Sequence, residues 1–262
     1  MAFRSWNNQH LAKFNSSDSS EFLDLYEDAR DARILSDYDD PSHKTFAPSS
    51  FRCRRIQWFR LRGVQPDKPK TADAVLDFTA VVGTALHKMI QEILKDRLGE
   101  SWVDVKEYIQ NNLTNPEKYH TQPSADSLET LVEISDPPVR FSCDGVIYWR
   151  GEYVLLEIKS SEFASWQELT DPKPQHIDQT KCYCALMNIH KVFFLYIDRQ
   201  YGGVKCYEVR YPDNNTENIL KEMKEVEELA EYHICPDALP KGDSWCTEGH
   251  CRYYKKCQEY GR

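Results

Sequence analysis

The densest apolar signal lies in residues 141–161, where FSCDGVIYWRGEYVLLEIKSS reads as two strands of β-branched and aromatic residues around an Arg150-Gly151 turn. A two-residue turn sets Asp144 opposite Glu157, and such cross-strand partners have Cβ atoms roughly 5 Å apart. Glu157 and Lys159, two positions apart on one strand, share that face. Val154, Leu155, Leu156 and Ile158 make the second strand almost wholly apolar, the pattern of a strand covered on both sides. Upstream, Val82, Leu86, Met89, Ile90, Ile93 and Leu94 recur at helical spacing over residues 78–98, and Gly99 ends the run. Downstream, residues 175–190 predict a helix, residues 192–197 and 204–211 strands around Gly202-Gly203, and residues 216–233 an acidic helix. Near the start, Asp18 and Glu21 stand at capping-box spacing and predict a short acidic helix. Ser49 or Ser50 can cap a second helix, FRCRRIQWFRLRG, stopped by Gly63. Residues 100–140 are punctuated by four prolines, give few periodic signals and receive no functional assignment.

Composition places the chain among ordinary soluble proteins, with 40% hydrophobic residues and enough length for one large domain with an arm. No apolar run reaches the 18 or so residues of a membrane span, and the N-terminus lacks the apolar core of a secretory signal, so a cytoplasmic location is expected. Charge distribution divides the chain further. Residues 15–40 hold nine acids against Arg30 and Arg33, whereas residues 51–62 hold five arginines and no acid. We therefore treat residues 1–50 as an acidic segment with a short helix and residues 51–262 as the folded domain. The net charge of -9 argues against diffuse polyanion binding and allows nucleic acid at one basic strip only.

Candidate chemistry gathers on the hairpin. At about 5 Å and an effective dielectric near 20, two carboxylates repel by roughly 3 kcal/mol, so keeping both ionised requires a cation. Lys159 or a divalent metal can supply it. A salt-bridged sheet surface would carry the same residues, but a strand covered on both faces offers little surface. His87 beside the apolar stripe and the Gln179–Tyr183 pair at i and i+4 are, alone, as compatible with packing as with chemistry. Nine cysteines are many for a chain without a secretion signal, which favours metal ligation over disulfides. Cys246, Cys251 and Cys257 are spaced to converge on one point. A fourth thiolate would complete a zinc or an iron-sulfur site, and the spacing is neutral between them.

Asp144, then Glu157-x-Lys159 on the next strand, resembles the PD-(D/E)xK nuclease superfamily. Gly83-x-x-x-His87 before the hairpin, and His176 followed by Gln179-x-x-x-Tyr183 after it, are similar to its RecB-like branch. The resemblance implies a restriction-endonuclease-like α/β core, a central mixed sheet flanked by helices, closed by a C-terminal cysteine cluster. It implies a metal-dependent DNA exonuclease of recombination, repair or spacer processing, acting on DNA with a single-stranded end. His87, Asp144, Glu157 and the Ile158 carbonyl would hold Mg²⁺ or Mn²⁺, Lys159 would orient the attacking water, and Gln179 and Tyr183 would position the strand. In a subset of RecB-like nucleases, including the CRISPR-associated adaptation exonucleases and the AddB nuclease subunit, one upstream and three C-terminal cysteines bind a 4Fe-4S cluster. Cys53, Cys246, Cys251 and Cys257 have those positions, although the first C-terminal gap is four residues where two is usual. Such a cluster would staple both ends of the domain and set Arg52, Arg54 and Arg55 beside Lys255 and Lys256 as a positive wall for a phosphate backbone. The acidic N-terminal segment would dock a protein partner or gate that wall. The alternatives are a catalytically silent DNA-binding subunit and an RNA-processing nuclease stapled by Zn²⁺.

Overall fold

The computed structural model describes residues 17–36, 44–67, 73–124, 127–240 and 242–260. The chain forms two units, one of residues 1–40 and 68–79 and the other of residues 41–67 and 80–262. In the smaller unit, α1 (Ser17–Ser36) runs for 20 residues, longer than the short helix expected, and its apolar residues do not gather on one stripe. Arg33 pairs there with Asp77 at 2.5 Å. The docking role expected of residues 1–50 falls partly on residues 1–16 and 37–43, outside the described residues. Phe46, from that acidic segment, belongs instead to the larger unit, where it is fully buried and bonds through its backbone to Pro138 and Arg140.

The larger unit is built on a five-stranded mixed sheet in the order β1 (Trp102–Val103), β5 (Gly145–Trp149), β6 (Glu152–Ser161), β7 (Lys191–Asp198), β8 (Val204–Arg210). Only β6 and β7 run parallel; the other neighbours are antiparallel. A parallel pair needs a long crossover. Here α5 (Phe163–Glu168) and α6 (Pro174–Met187) provide it. Side chains of β6 and β7 alternate between two cores. Leu155, Val192, Phe194 and Tyr196 join the large core, which also takes residues of α2 (Arg54–Leu61), α6 and α7 (Asn215–Glu231). Leu156, Ile158 and Ile197 pack on the other face against Ile90 of α3 (Ala74–Leu98). This is the mixed sheet flanked by helices that the resemblance implies, with β6 covered on both sides.

The hairpin register agrees with the sequence: Gly145 pairs with Leu156 and Trp149 with Glu152. Arg150 and Gly151 both take positive φ, 53° and 93°, as a tight hairpin turn requires. The first strand, however, is not continuous. It breaks at Asp144 into β4 (Pro138–Cys143) and β5, and β4 belongs to a second sheet, β2 (Tyr119–Pro123), β3 (Thr130–Ser135), β4. Residues 100–140 thus hold α4 (Val105–Asn112), β1 to β3 and the first half of β4, where few elements were expected. Their burial does alternate, with Val139, Phe141 and Cys143 inside.

Two helix starts also differ from expectation. A single 3₁₀ turn occupies Pro48–Ser50, and α2 begins only at Arg54, with Cys53 in extended conformation as its N-cap in place of Ser49 or Ser50. Its end is as expected, since Gly63 has φ 66°. The break after Asp144 depends on a close approach: a Cβ on Gly145 would lie 2.9 Å from Cη2 of Trp102. Gly145→Ala is accordingly expected to lower stability by about 1–3 kcal/mol in urea denaturation; an unchanged midpoint would contradict the packing described.

Candidate active site

Three pieces of chain meet at the start of β5 and the middle of β6. Strand β6 supplies Glu157, Ile158 and Lys159, the strand break supplies Asp144, and α3 supplies His87 and Gln91. Gly83, one turn before His87, faces Ser160 so closely that a Cβ there would stand 3.3 Å from Oγ. A small residue at this point lets α3 lie near β6 and brings His87 to the site.

Asp144 is 6% exposed, and its Oδ2 accepts the Ile158 backbone N–H at 2.7 Å. Its Oδ1 lies 3.6 Å from His87 Nδ1, which is also 3.5 Å from Glu129 Oε1. Ligand atoms of His87, Glu129 and Asp144 fall within 4.8 Å of one another. A divalent ion takes such donors at roughly 2.1 Å, so gathering them demands side-chain adjustment rather than refolding, and the donor set of one imidazole and two carboxylates fits Mn²⁺ or Mg²⁺. Burial alone would lower the His87 pKa, but the neighbouring Asp144 and Glu129 carboxylates outweigh it and lift it to about 9. At neutral pH the ring is therefore an imidazolium set between carboxylates, at the place a metal cation would take.

Glu157 is 2% exposed and meets the Lys159 ammonium at 2.5 Å. Burial raises its pKa, Lys159 opposes that, and Asp144 adds to it. Lys159 itself is held charged: burial lowers its pKa, but Glu157 and Asp144 together raise it above the ordinary lysine value. Gln179 donates through Nε2 to the Tyr183 hydroxyl at 2.7 Å. Tyr183 is buried, stacks on Phe141 with ring centroids 4.6 Å apart, and feels the charges of Glu157 and Asp144. The pair expected to face the substrate thus presents Gln179 outermost, with the tyrosine behind it.

Two participants carried no sequence expectation. Glu129 sits just before β3, in the region given no function. Gln91, fully buried, donates through Nε2 to the Asp144 carbonyl at 2.7 Å and accepts the Leu128 N–H at 3.2 Å through Oε1. One side chain thereby holds both the strand break and the segment leading to Glu129. Gln91 stands four residues after His87, on the same helix face, and that spacing was the available signal. Glu129 offered none.

The four cysteines named from the sequence also come together: Cys53, Cys246, Cys251 and Cys257 line one pocket. Burial raises the thiol pKa of Cys53 and pushes that of Cys251 to about 11; Cys53 also feels Cys246 and Cys257, and Cys251 feels Cys53, Cys246 and Cys257. Four cysteines on one pocket offer an all-sulfur donor set, while among the described residues the ligand atoms that fall within 4.8 Å of one another are those of His87, Glu129 and Asp144. Cys143, Cys182 and Cys184 are core residues, while Cys206 is exposed and Cys235 half-buried.

Four of the five residues expected to form the positive wall stand beside acids. Arg52 pairs with Asp243 at 2.7 Å and Arg54 with Glu225 at 2.8 Å. Lys255 lies 3.2 Å from Glu248, and Lys256 3.9 Å from Glu259. Arg55 is buried and does not line a surface at all. A positive wall built of these five residues is therefore corrected to a surface of compensated charges with one arginine turned inward.

No family model and no curated protein matches the chain. Among solved structures it is similar to SSO0001, at 16% identity over 86% of this chain and 93% of that one, with a TM-score of 0.48. It is also similar to an alkaline exonuclease, LHK-Exo, from Laribacter hongkongensis, at 16% identity over 74% and 91% of the two chains and a TM-score of 0.43. That protein in complex with dAMP matches at 15% identity over 78% and 94%, with a TM-score of 0.42.

Because His87 carries a proton below about pH 9, a cation bound through it at pH 7 must displace that proton. Calorimetric titration of Mn²⁺ in buffers of different ionisation enthalpy is expected to reveal about one proton released per ion; binding without proton release contradicts the assignment of His87. Gln91→Ala, although it removes no ligand, is expected to weaken Mn²⁺ binding about 10- to 100-fold. An unchanged affinity would remove Gln91 from the site's support.

Proposed function

We propose that the chain is a metal-dependent DNA exonuclease, hydrolysing phosphodiester bonds from a strand end in recombination, repair or spacer processing. What carries the proposal is the convergence of His87, Glu129 and Asp144 on one point beside the buried Glu157–Lys159 pair. Taking several charged side chains out of water is costly, and perturbed groups gathered in this way are characteristic of catalytic sites. A silent DNA-binding subunit would have no use for that cost, and its Arg52 and Arg54 would not be occupied by the chain's own acids.

His87, Glu129, Asp144, Glu157 and the Ile158 carbonyl would hold Mg²⁺ or Mn²⁺. Bound there, the ion would lower the pKa of a coordinated water and offset charge on the phosphate. Asp144 is oriented for this role because Oδ2 is engaged by the Ile158 N–H and Oδ1 is left facing His87. Lys159, kept cationic by Glu157, orients the attacking water and donates to oxygen as negative charge builds. Gln179, its amide nitrogen fixed by Tyr183, positions the strand through the remaining amide atoms. The same reading assigns Cys53, Cys246, Cys251 and Cys257 to a 4Fe-4S cluster, with zinc as the alternative, tying residue 53 to residue 257 around the catalytic core.

The test is degradation of end-labelled DNA with Mn²⁺, Mg²⁺ or EDTA by wild type and Lys159→Ala. Shortening from an end that requires the metal is expected. Lys159→Ala should lose about 10²- to 10³-fold in rate while binding DNA like wild type. Wild type that binds but never cuts, or a Lys159→Ala variant that cuts normally, contradicts the proposal.

A further inference from the structure

Arg55 differs from Arg52 and Arg54, which precede it in the basic strip. It is 5% exposed, yet its three hydrogen bonds go to uncharged groups: Nε to the Pro236 carbonyl at 2.8 Å, and Nη1 to both the carbonyl and the sulfur of Cys257 at 3.3 Å. Its neighbours Arg52 and Arg54 each have a carboxylate. Among the described residues Arg55 has none. A buried guanidinium without a counter-charge is costly, and arginine cannot escape the cost by losing its proton as a lysine can. The chain places that charge against the sulfur of a cysteine whose three companions line the same pocket.

We infer that Arg55 is the built-in counter-charge of a dianionic tetrathiolate centre formed by Cys53, Cys246, Cys251 and Cys257. Four thiolates around a doubly positive core, whether a zinc ion or an oxidised 4Fe-4S cluster, leave a net negative charge that a buried cation offsets. The N–H···S contact directs that compensation to Cys257. With the thiols protonated, the arginine is a liability; with the centre formed, it stabilises it. The inference rests on the metal-centre reading of these cysteines given above. It turns a residue chosen from the sequence for phosphate binding into part of the metal site.

The experiment uses the full chain purified anaerobically, with iron, sulfide and zinc determined on each preparation. Two variants separate charge from hydrogen bonding: Arg55→Gln keeps a donor and loses the charge, and Arg55→Lys keeps the charge on a different frame. Metal release to an excess of chelator is timed for each. Arg55→Gln is expected to release metal about 10- to 100-fold faster than wild type, with Arg55→Lys in between. Removing the charge should lower the melting temperature of the loaded protein and leave that of chelator-stripped protein unchanged or higher. A purely structural arginine would instead lower both, and that outcome overturns the inference, as does release from Arg55→Gln at the wild-type rate or release from Arg55→Lys as fast as from Arg55→Gln. Wild type that takes up neither iron with sulfide nor zinc, even after anaerobic reconstitution, overturns the metal-centre reading itself.

Discussion

The hydrogen bond from the Ile158 N–H to the Asp144 carboxylate, 2.7 Å long, is the contact on which the site depends. It forms where the chain leaves one sheet for another, so a side-chain oxygen accepts from β6 at the point where regular pairing stops. The bond ties Asp144 to the residue between Glu157 and Lys159, and so fixes the distance between the two halves of the hairpin's chemistry. It also uses one carboxylate oxygen and leaves the other for a cation. Gln91 secures the same point from behind through the Asp144 carbonyl. Gly145 allows the break to lie against Trp102.

Electrostatics follow from that placement. Three carboxylates sit in a region where repulsion is poorly screened, and two cations from the chain itself answer them: the Lys159 ammonium at Glu157, and the His87 imidazolium between Glu129 and Asp144. The two cations differ in kind. Lys159 is held in its charged form by its partners, whereas His87 can give up its proton and become a ligand. On the proposed function a proton and a metal ion compete for one position, and metal uptake is coupled to pH. The cysteine pocket sets a buried cation, Arg55, against the sulfur of Cys257, and on the inference above that charge answers thiolates formed when a metal core binds.

Much of this was legible along the chain because periodicity encodes register. The Arg150-Gly151 turn fixed which residues oppose each other, and the apolar run around Glu157 showed that its strand is covered. The break at Asp144 was not legible, since β4 and β5 read as one extended strand and only long-range pairing with β3 separates them. Glu129 enters the site through that second sheet, whose partners lie outside any local window. Cysteine spacing anticipated convergence, and the structure brings all four to one pocket. Charge spacing misplaced Arg55, because a run of arginines says nothing about which one a helix turns inward. The same limit hid Asp243 and Glu225, distant in sequence, which occupy Arg52 and Arg54.

The central claim is that the buried carboxylates form a metal site rather than a self-contained salt-bridge cluster. Anomalous diffraction from crystals soaked in manganese decides between the two directly. One manganese peak is predicted within coordination distance of His87 and Asp144, with Glu157 or Glu129 turned toward it. Carboxylates still paired only with His87 and Lys159 at saturating manganese, with no peak among them, would contradict the account.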